Sequence, residues 1–476
     1  MSTRMPLSRL RSWAVLSSAL VASTWFTSGC ATYSQKALAV REPLIRGDFA
    51  GAETFLVEEK PGGDGLPYLF ELGLVQRYAE QFDASNETFD QAELLIEDLW
   101  TKSVSKELLA FATSDETIAY DGEIWERVLV NYYRALNYID LGRYEDALVE
   151  CRKLNERLRV FASSTDDPPT YETDAFALWM TGMLYEAGGD VSDAWVSLRL
   201  ADEAYGQWKE SYGVAAPVAL ERDLLRLATA QGFRNEADEY RARFTEGEGA
   251  RWSADDPDLD PSGRGEIVLF WEEGFIPAKV QAEATIPILE DEWGDHWIEL
   301  APTLANRYHH PVRYRKSTLE YLLRFALPAY PPPAPNPHRS HARVTLDGER
   351  AVTTELASDL EAIARHGLED RSGNILLRTI ARGLAKYAMT RAARKENEVV
   401  GVLTNLLTAA TEKADTRSWI TLPRTIQVAR LVVPPGTHDL EMVCFGPDGR
   451  EKERVGFAGV TVGANEVRFL SHRTFE

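Results

Sequence analysis

The stretch Trp125-ERVLVNYYRALNYIDLGRYEDALVECRKLNERL-Arg159 reads as two amphipathic helices joined by a tight turn. Trp125, Leu129, Tyr132 or Tyr133, Leu136 and Ile139 recur at helical spacing, and Ala147, Leu148, Cys151, Leu154 and Leu158 do the same beyond Gly142. Gly142 suits a left-handed helix C-cap because it has no Cβ to clash. The small Ala147, five residues later, lets the second helix lie close to the first. The same Gly-to-Ala interval recurs in Gly47-DFAG-Ala52, Gly189-DVSD-Ala194 and Gly232-FRNE-Ala237, with a degenerate copy in Glu87-TFDQ-Ala92. Phe49, Phe89 and Tyr144 add an aromatic residue at the same place in three of the five. Residues 30–246 are therefore expected to stack as an α-helical solenoid of four to five helix pairs.

The run Leu141-Gly142-Arg143-Tyr144-Glu145-Asp146-Ala147 resembles the core of the tetratricopeptide (TPR) repeat. The intervals between copies, 40 to 55 residues, exceed the 34 of that repeat, so longer helices or inserted loops are expected. The resemblance implies a surface that binds a peptide or protein. Tyr132 and Tyr133 are candidate residues for lining it, although aromatics at helical spacing also serve as core.

Residues 247–264, rich in Gly, Pro, Asp and Ser, read as a linker. Asp256, Asp258 and Asp260 alternate as at the start of a calcium loop, but Pro261 and Ile267 stand where that loop needs Gly and Glu. Residues 265–476 read as a mixed α+β domain. Strand patterns begin at Glu266-IVLFWEEG, Leu319-EYLLRFALP and Ala342-RVTLDGE, and six prolines in 328–337 mark an extended connector. Three helical stripes are expected over 353–413, the first ending at Gly367 and the last running from Val399 to Ala410. Over 424–470 an antiparallel β meander is expected, half of a small sandwich with the helices inserted between its strands. Arg378, Arg382 and Lys386 repeat every four residues in a segment, 374–395, without an acid. That band is expected either to contact an anionic partner such as a lipid headgroup or cell-wall glycan, or to pair internally with acids.

At the N-terminus, Arg4, Arg9 and Arg11 precede the apolar stretch 13–26 and then Thr27-Ser28-Gly29-Cys30. A basic start, a short apolar stretch and small residues make an export signal, here 1–29. The last four residues resemble the lipobox of bacterial lipoproteins, with Thr27 in place of the usual larger aliphatic. The resemblance implies that Cys30 is the lipid-modified (palmitate-bearing) first residue of the mature protein. Ala31, rather than Asp, favours the outer membrane. Cys151 and Cys444, far apart in helical and strand patterns, are expected to be unpaired.

The chain of 476 residues is 44% hydrophobic and 26% charged, ordinary for a multidomain globular protein. Its 52 Lys and Arg against 74 Asp and Glu give a net charge of −22, which argues against a nucleic-acid partner. No nucleophile elbow, zincin, Cys-x-x-Cys or phosphate-loop motif occurs. His309-His310 and His338-x-x-His341 are the only histidine clusters, too few ligands for a zinc site. No catalytic residue, cofactor or metal is expected.

Tyr120-DGEIWERVLVNYYRALNYIDLG-Arg143 and Asp415-TRSWITLP-Arg424, with the Pro434-Pro435-Gly436-x-His438 strand and Cys30, resemble an uncharacterised family of bacterial TPR-like envelope lipoproteins. The resemblance extends over most of the mature chain. It implies an outer-membrane lipoprotein facing the periplasm and acting as a protein-protein interaction scaffold in envelope or cell-wall maintenance, with an envelope protein as partner. The alternative is a cell-wall glycan-binding module or an enzyme without a recognisable motif. The Asp415–Trp419 run either fixes the corner before a strand or contacts a ligand.

Overall fold

The structure, a computed structural model, describes residues 32–61, 63, 65–101, 119–163, 171–245, 259, 263–291, 296–298, 317–333, 340–396 and 413–475. The expected export signal, Cys30, most of the expected linker, the stripe from Val399 to Ala410, His309, His310 and His338 lie outside the described residues.

The helical half comprises α1 (Tyr33–Ala37), α2 (Arg41–Ile45), α3 (Phe49–Glu59), α4 (Leu66–Tyr78), α5 (Phe82–Thr101), α6 (Ile124–Asp140), α7 (Tyr144–Ser163), α8 (Ala175–Ala187), α9 (Val191–Ser211), α10 (Val218–Gln231) and α11 (Arg234–Thr245). From α4 onward each packs against the next, as in an α-helical solenoid. One turn recurs. Gly47, Gly142, Gly189 and Gly232 all take positive φ, between 70° and 81°. In each case the next amide reaches back five residues, as from Arg143 to the Tyr138 carbonyl at 2.7 Å and from Asp190 to Tyr185 at 2.8 Å. These bonds satisfy carbonyls that a helix end leaves open. Asp48 and Asp190, directly after their turn glycines, cap the following helices through Gly51 and Asp193. Ala52, Ala147, Ala194 and Ala237 are all buried at the crossings.

The degenerate copy is corrected by the structure. Glu87 lies inside α5, and the turn falls at Glu80, a non-glycine at φ 58°. The residue five positions later is Ser85, which is buried and donates to the Gly73 carbonyl at 2.6 Å.

The strands are β1 (Gly265–Glu273), β2 (Val280–Asp291), β3 (His296–Ile298), β4 (Ser317–Ala329), β5 (His341–Leu346), β6 (Arg350–Thr353), β7 (Glu355–Asp359), β8 (Thr425–Val433), β9 (Gly436–Phe445), β10 (Glu451–Val462) and β11 (Val467–Thr474). They form a first sheet in the order β11-β1-β8-β7, a second in the order β10-β9-β5-β6, and a three-stranded sheet β3-β2-β4. The expected simple meander is thereby corrected. The chain alternates between two sheets after β8, and β11 returns to pair parallel with β1.

β1 is the keystone, with all nine residues buried. A continuous apolar run marks a strand covered on both faces. Ile267, Leu269 and Trp271 meet Val344, Leu346, Met442 and Cys444 of the second sheet. Val268 and Phe270, on the opposite face, belong to the core that runs through the solenoid. The molecule is thus layered as solenoid, first sheet, second sheet, and the first sheet has no free face.

Residues 353–413 depart from the expected three helices. Residues 355–359 form β7, and Asp359 caps a single helix, α12 (Leu360–Glu396), by accepting from the Ala362 amide at 2.8 Å. The helix runs through Gly367 for 37 residues, about 55 Å. It is inserted between β7 and β8, which pair with each other. Its first turns join the main core through Leu360, Ile363 and Ala364, and further along Ile380 and Tyr387 pack on Leu323 and Phe325 of β4. Cys151 in α7 and Cys444 in β9 are buried free thiols, and burial pushes both up to about 12.

Candidate functional site

The stretches 120–143 and 415–424, far apart in sequence, meet on the inner face of the solenoid. The irregular segment 413–424 enters there before β8. Its Trp419 ring, fully buried, stacks on Phe70 of α4 with centroids 4.6 Å apart, and lies 5.8 Å from Phe89 of α5 and 5.5 Å from Tyr133 of α6.

Over 416–421 the backbone is held by side chains rather than by another strand, whereas beyond it Leu422 and Arg424 bond main chain to main chain with Ile276 and Glu273. Ser34 Oγ donates to the Thr416 carbonyl at 2.7 Å, and Lys279 Nζ to the Arg417 carbonyl at 3.2 Å. Glu126 Oε1 accepts from the Trp419 amide at 2.7 Å. Glu71 accepts from the amides of Ile420 at 2.8 Å and Thr421 at 3.2 Å, and from the Thr421 hydroxyl. Arg41 bridges the Ile420 carbonyl at 3.0 Å and the Ile276 carbonyl at 2.6 Å. Glu71, Glu126 and Ser34 are almost wholly buried. By contrast, Thr416 Oγ1, Ser418 Oγ and Trp419 Nε1 are buried without a hydrogen-bond partner among the described residues. The inner face therefore reads the main chain, the indole ring and the Thr421 hydroxyl, and leaves the polar side-chain atoms of Thr416, Ser418 and Trp419 without a partner among the described residues.

Burial dominates the electrostatics. It pushes the Glu71 carboxyl up to about 7, against its hydrogen bonds from Thr421 and Ile420 and the charge of Arg41. Glu126 is also raised by burial, with the charge of Glu123 adding to it. Glu123 goes the other way. Arg371 of α12 and Lys279 more than offset its burial and hold it down at about 2. Glu123 thus ties α12, the approach to β2 and the start of α6 together. Arg417 makes a bidentate pair with Asp415, at 2.8 and 2.7 Å, and lies over the Tyr120 ring.

Further along the solenoid the first sheet closes the same face. Phe270 of β1 packs edge-on to Phe176 of α8 at 5.9 Å, and the Tyr205 hydroxyl donates to the Ala357 carbonyl of β7 at 2.8 Å. Glu355 of β7 caps α10 from outside its own helix, accepting from the amides of Val218 and Ala219 at 2.9 and 3.0 Å. Arg430 of β8 lies among Asp223, Glu186 and Glu266, with Arg226 beside them. A cleft of about 740 Å³ opens next to this cluster, lined by residues such as Arg226, Arg241, Arg264, Glu266 and Glu466. The Glu186–Arg226 and Glu266–Arg430 ion pairs there are made within the chain, which leaves little charge for a ligand.

The expected partner-binding residues fare differently. Tyr132 and Tyr133, 1% and 0% exposed, line the inner face but are covered by the chain's own sheet and segment, so they present no open aromatic groove. The basic band does not form one exposed stripe. Arg378 is exposed, whereas Arg382 is buried beside Thr379, and the side chain of Lys386 lies outside the described residues. Sequence reasoning missed Glu71, Arg41 and Lys279. Their types are common on any surface, and only their convergence on 416–421 gives them a role. Among the described residues no His/Cys/Asp/Glu group fits a metal and no helix is long and apolar enough to cross a membrane.

No family model matches the chain, and no curated protein matches it. Among solved structures it is similar to RapI in its apo form, with TM-score 0.32 and 16% identity over 48% of this chain and 57% of that one. It is also similar to nearly identical TPR-like repeats of a Podosopora anserina kinesin light chain (TM-score 0.28, 17% identity, 43% of this chain and 89% of that one). A third is a tetratricopeptide repeat protein from Parabacteroides merdae (TM-score 0.27, 16% identity, 44% and 63%). The chain spans little more than half of RapI. These similarities cover less than half of the chain and carry no inference about activity.

Proposed function

We propose that the protein is a lipid-anchored scaffold of the bacterial envelope, with an export signal over 1–29, an acylated Cys30, and a body that faces the periplasm from the outer membrane and binds an envelope protein. The observation that carries the scaffold reading is the inner face of the solenoid. It grips an irregular protein segment by main-chain hydrogen bonds and one aromatic anchor, the chemistry by which proteins recognise peptides. The anchor and the address rest on Arg4 to Arg11, the apolar stretch 13–26 and Cys30.

Labelling cells with a palmitate analogue tests the anchor. Wild type is expected to be labelled and to sediment with outer membranes, and Cys30→Ser to lose both properties. An unlabelled wild type contradicts the lipoprotein reading. Affinity capture from solubilised membranes tests the scaffold. A stoichiometric envelope protein retained by wild type is expected, and recovery of the chain alone contradicts that reading.

A further inference from the structure

The inner face of a TPR-like solenoid is closed here by the chain itself, and the manner of closure distinguishes one region from the rest. Against β1, β7, β8 and β11 the solenoid packs apolar side chains on the face of a sheet whose strands pair with one another, and side chain to main chain bonds cross between them at Ala357, Val218 and Ala219. Against 416–421 there is no sheet. Ser34, Arg41, Glu71, Glu126 and Lys279 supply donors and acceptors, one after another, to successive carbonyls and amides. Two carboxylates buried to satisfy backbone amides stand in for the strand or helix partner that a backbone ordinarily has, and burying each of them is costly. A site that accepts a chain entering from outside can carry its hydrogen-bonding groups on side chains in this way. The specificity element is equally clear. Trp419 fills an aromatic pocket of Phe70, Phe89 and Tyr133, a single large anchor with main-chain contacts on both sides.

We propose that the pocket built by α1, α2, α4, α5 and α6 is a peptide-binding site for an extended partner segment with one tryptophan anchor, and that residues 415–421 are an intramolecular ligand occupying it until such a segment displaces them. This rests on the scaffold reading above and names the surface and the partner chemistry for it. Because the resident segment is tethered, it competes at an effective concentration in the millimolar range, so a free peptide gains access only when the tethered anchor is weakened or the incoming segment makes further contacts. The charge pattern of the pocket sets the class of ligand. With Glu71 and Glu126 offering acceptors, and Arg41 and Lys279 donors, it suits a neutral main chain and disfavours an acidic residue at the place of Trp419 or Ile420.

The test uses the full chain and a fluorescent synthetic peptide of residues 413–424. Wild type should bind it at least tenfold more weakly than Trp419→Ala, in which the tethered anchor is gone but the pocket is intact. The same peptide with its tryptophan replaced by alanine should not bind Trp419→Ala. A Trp419→Ala chain that keeps the circular dichroism of wild type and fails to bind, or that binds both peptides equally, overturns the proposal. If Trp419→Ala is unfolded alone, refolding it with the peptide restores the native spectrum on this account, and absence of rescue overturns it. A wild-type chain that is a stable dimer, with the 415–421 segment exchanged between copies, assigns the pocket to a second copy and overturns the partner reading. Should the membrane capture yield the same envelope protein equally from wild type and a folded Trp419→Ala that ignores the peptide, the scaffold reading survives and this assignment falls.

Discussion

At the scale of single residues, His438 shows how local chemistry pins the second sheet. Its Nδ1 lies 2.7 Å from Asp347 Oδ2 and its Nε2 lies 2.8 Å from the Pro434 carbonyl. Both partners are acceptors, so the two contacts favour the imidazolium form, in which both ring nitrogens donate. The hydrogen bond to Asp347 raises the histidine above its ordinary 6.5 and lowers the aspartate below its ordinary 3.8. The raised base contributes stability that is complete below about pH 6.5 and is lost as pH climbs through the higher folded value. The lowered acid contributes above about pH 3.8 and is lost as pH falls below that. Wild type is therefore expected to lose melting temperature relative to His438→Gln between about pH 6 and pH 8. Parallel pH profiles of the two proteins would show that the pair carries no linkage. The Pro-Pro-Gly-x-His motif and the Asp347-Gly348 turn were both visible in the sequence, but they lie about 90 residues apart and nothing in the sequence joined them.

At the scale of elements, the turn between two helices is where sequence and structure agree most closely. A glycine at positive φ leaves a signature that one chain can show, and four of the five turns were placed from it. The fifth was misplaced because Glu80 adopts that conformation without being glycine, so the copy at Glu87 drew the turn seven residues late. The small residue at the crossing follows the same logic. Ala147 is fully buried, and enlarging it to leucine should overpack the α6–α7 crossing and cost about 1–3 kcal/mol in chemical denaturation. An unchanged midpoint would mean that the crossing yields without strain. The helix stops expected at Gly367 failed for a different reason. Glycine in a helix interior costs only about 1 kcal/mol relative to alanine. Anchorage of α12 at both stretches, by the core near Ile363 and by β4 near Ile380, outweighs that.

At the scale of the whole molecule, the sequence divided into two domains and the structure joins them into one core. Periodicity reports which face of an element is apolar, not what covers it. The run Ile267-Val-Leu-Phe-Trp271 signalled a strand buried on both sides, and only the structure shows that one of those sides is the solenoid. The tyrosines at 132 and 133 were equally ambiguous between groove and core, and they serve as the lining of a groove that the chain itself fills. The site was legible to the extent that its two ends, 120–126 and 415–419, stood out as motifs. Their meeting was not legible, because nearly 300 residues separate Glu126 from Trp419.

The central claim is that residues 416–421 sit in the solenoid as a bound ligand does, with their amides held by Glu126 and Glu71. Native-state hydrogen exchange on the full chain, resolved to those amides, measures this directly. Trp419, Ile420 and Thr421 are predicted to exchange orders of magnitude more slowly than unstructured amides, and excess tryptophan-containing peptide to speed them while the β1 amides of Val268 and Phe270 stay slow. Exchange of the three at the rate of exposed amides, with β1 still protected, would contradict the account.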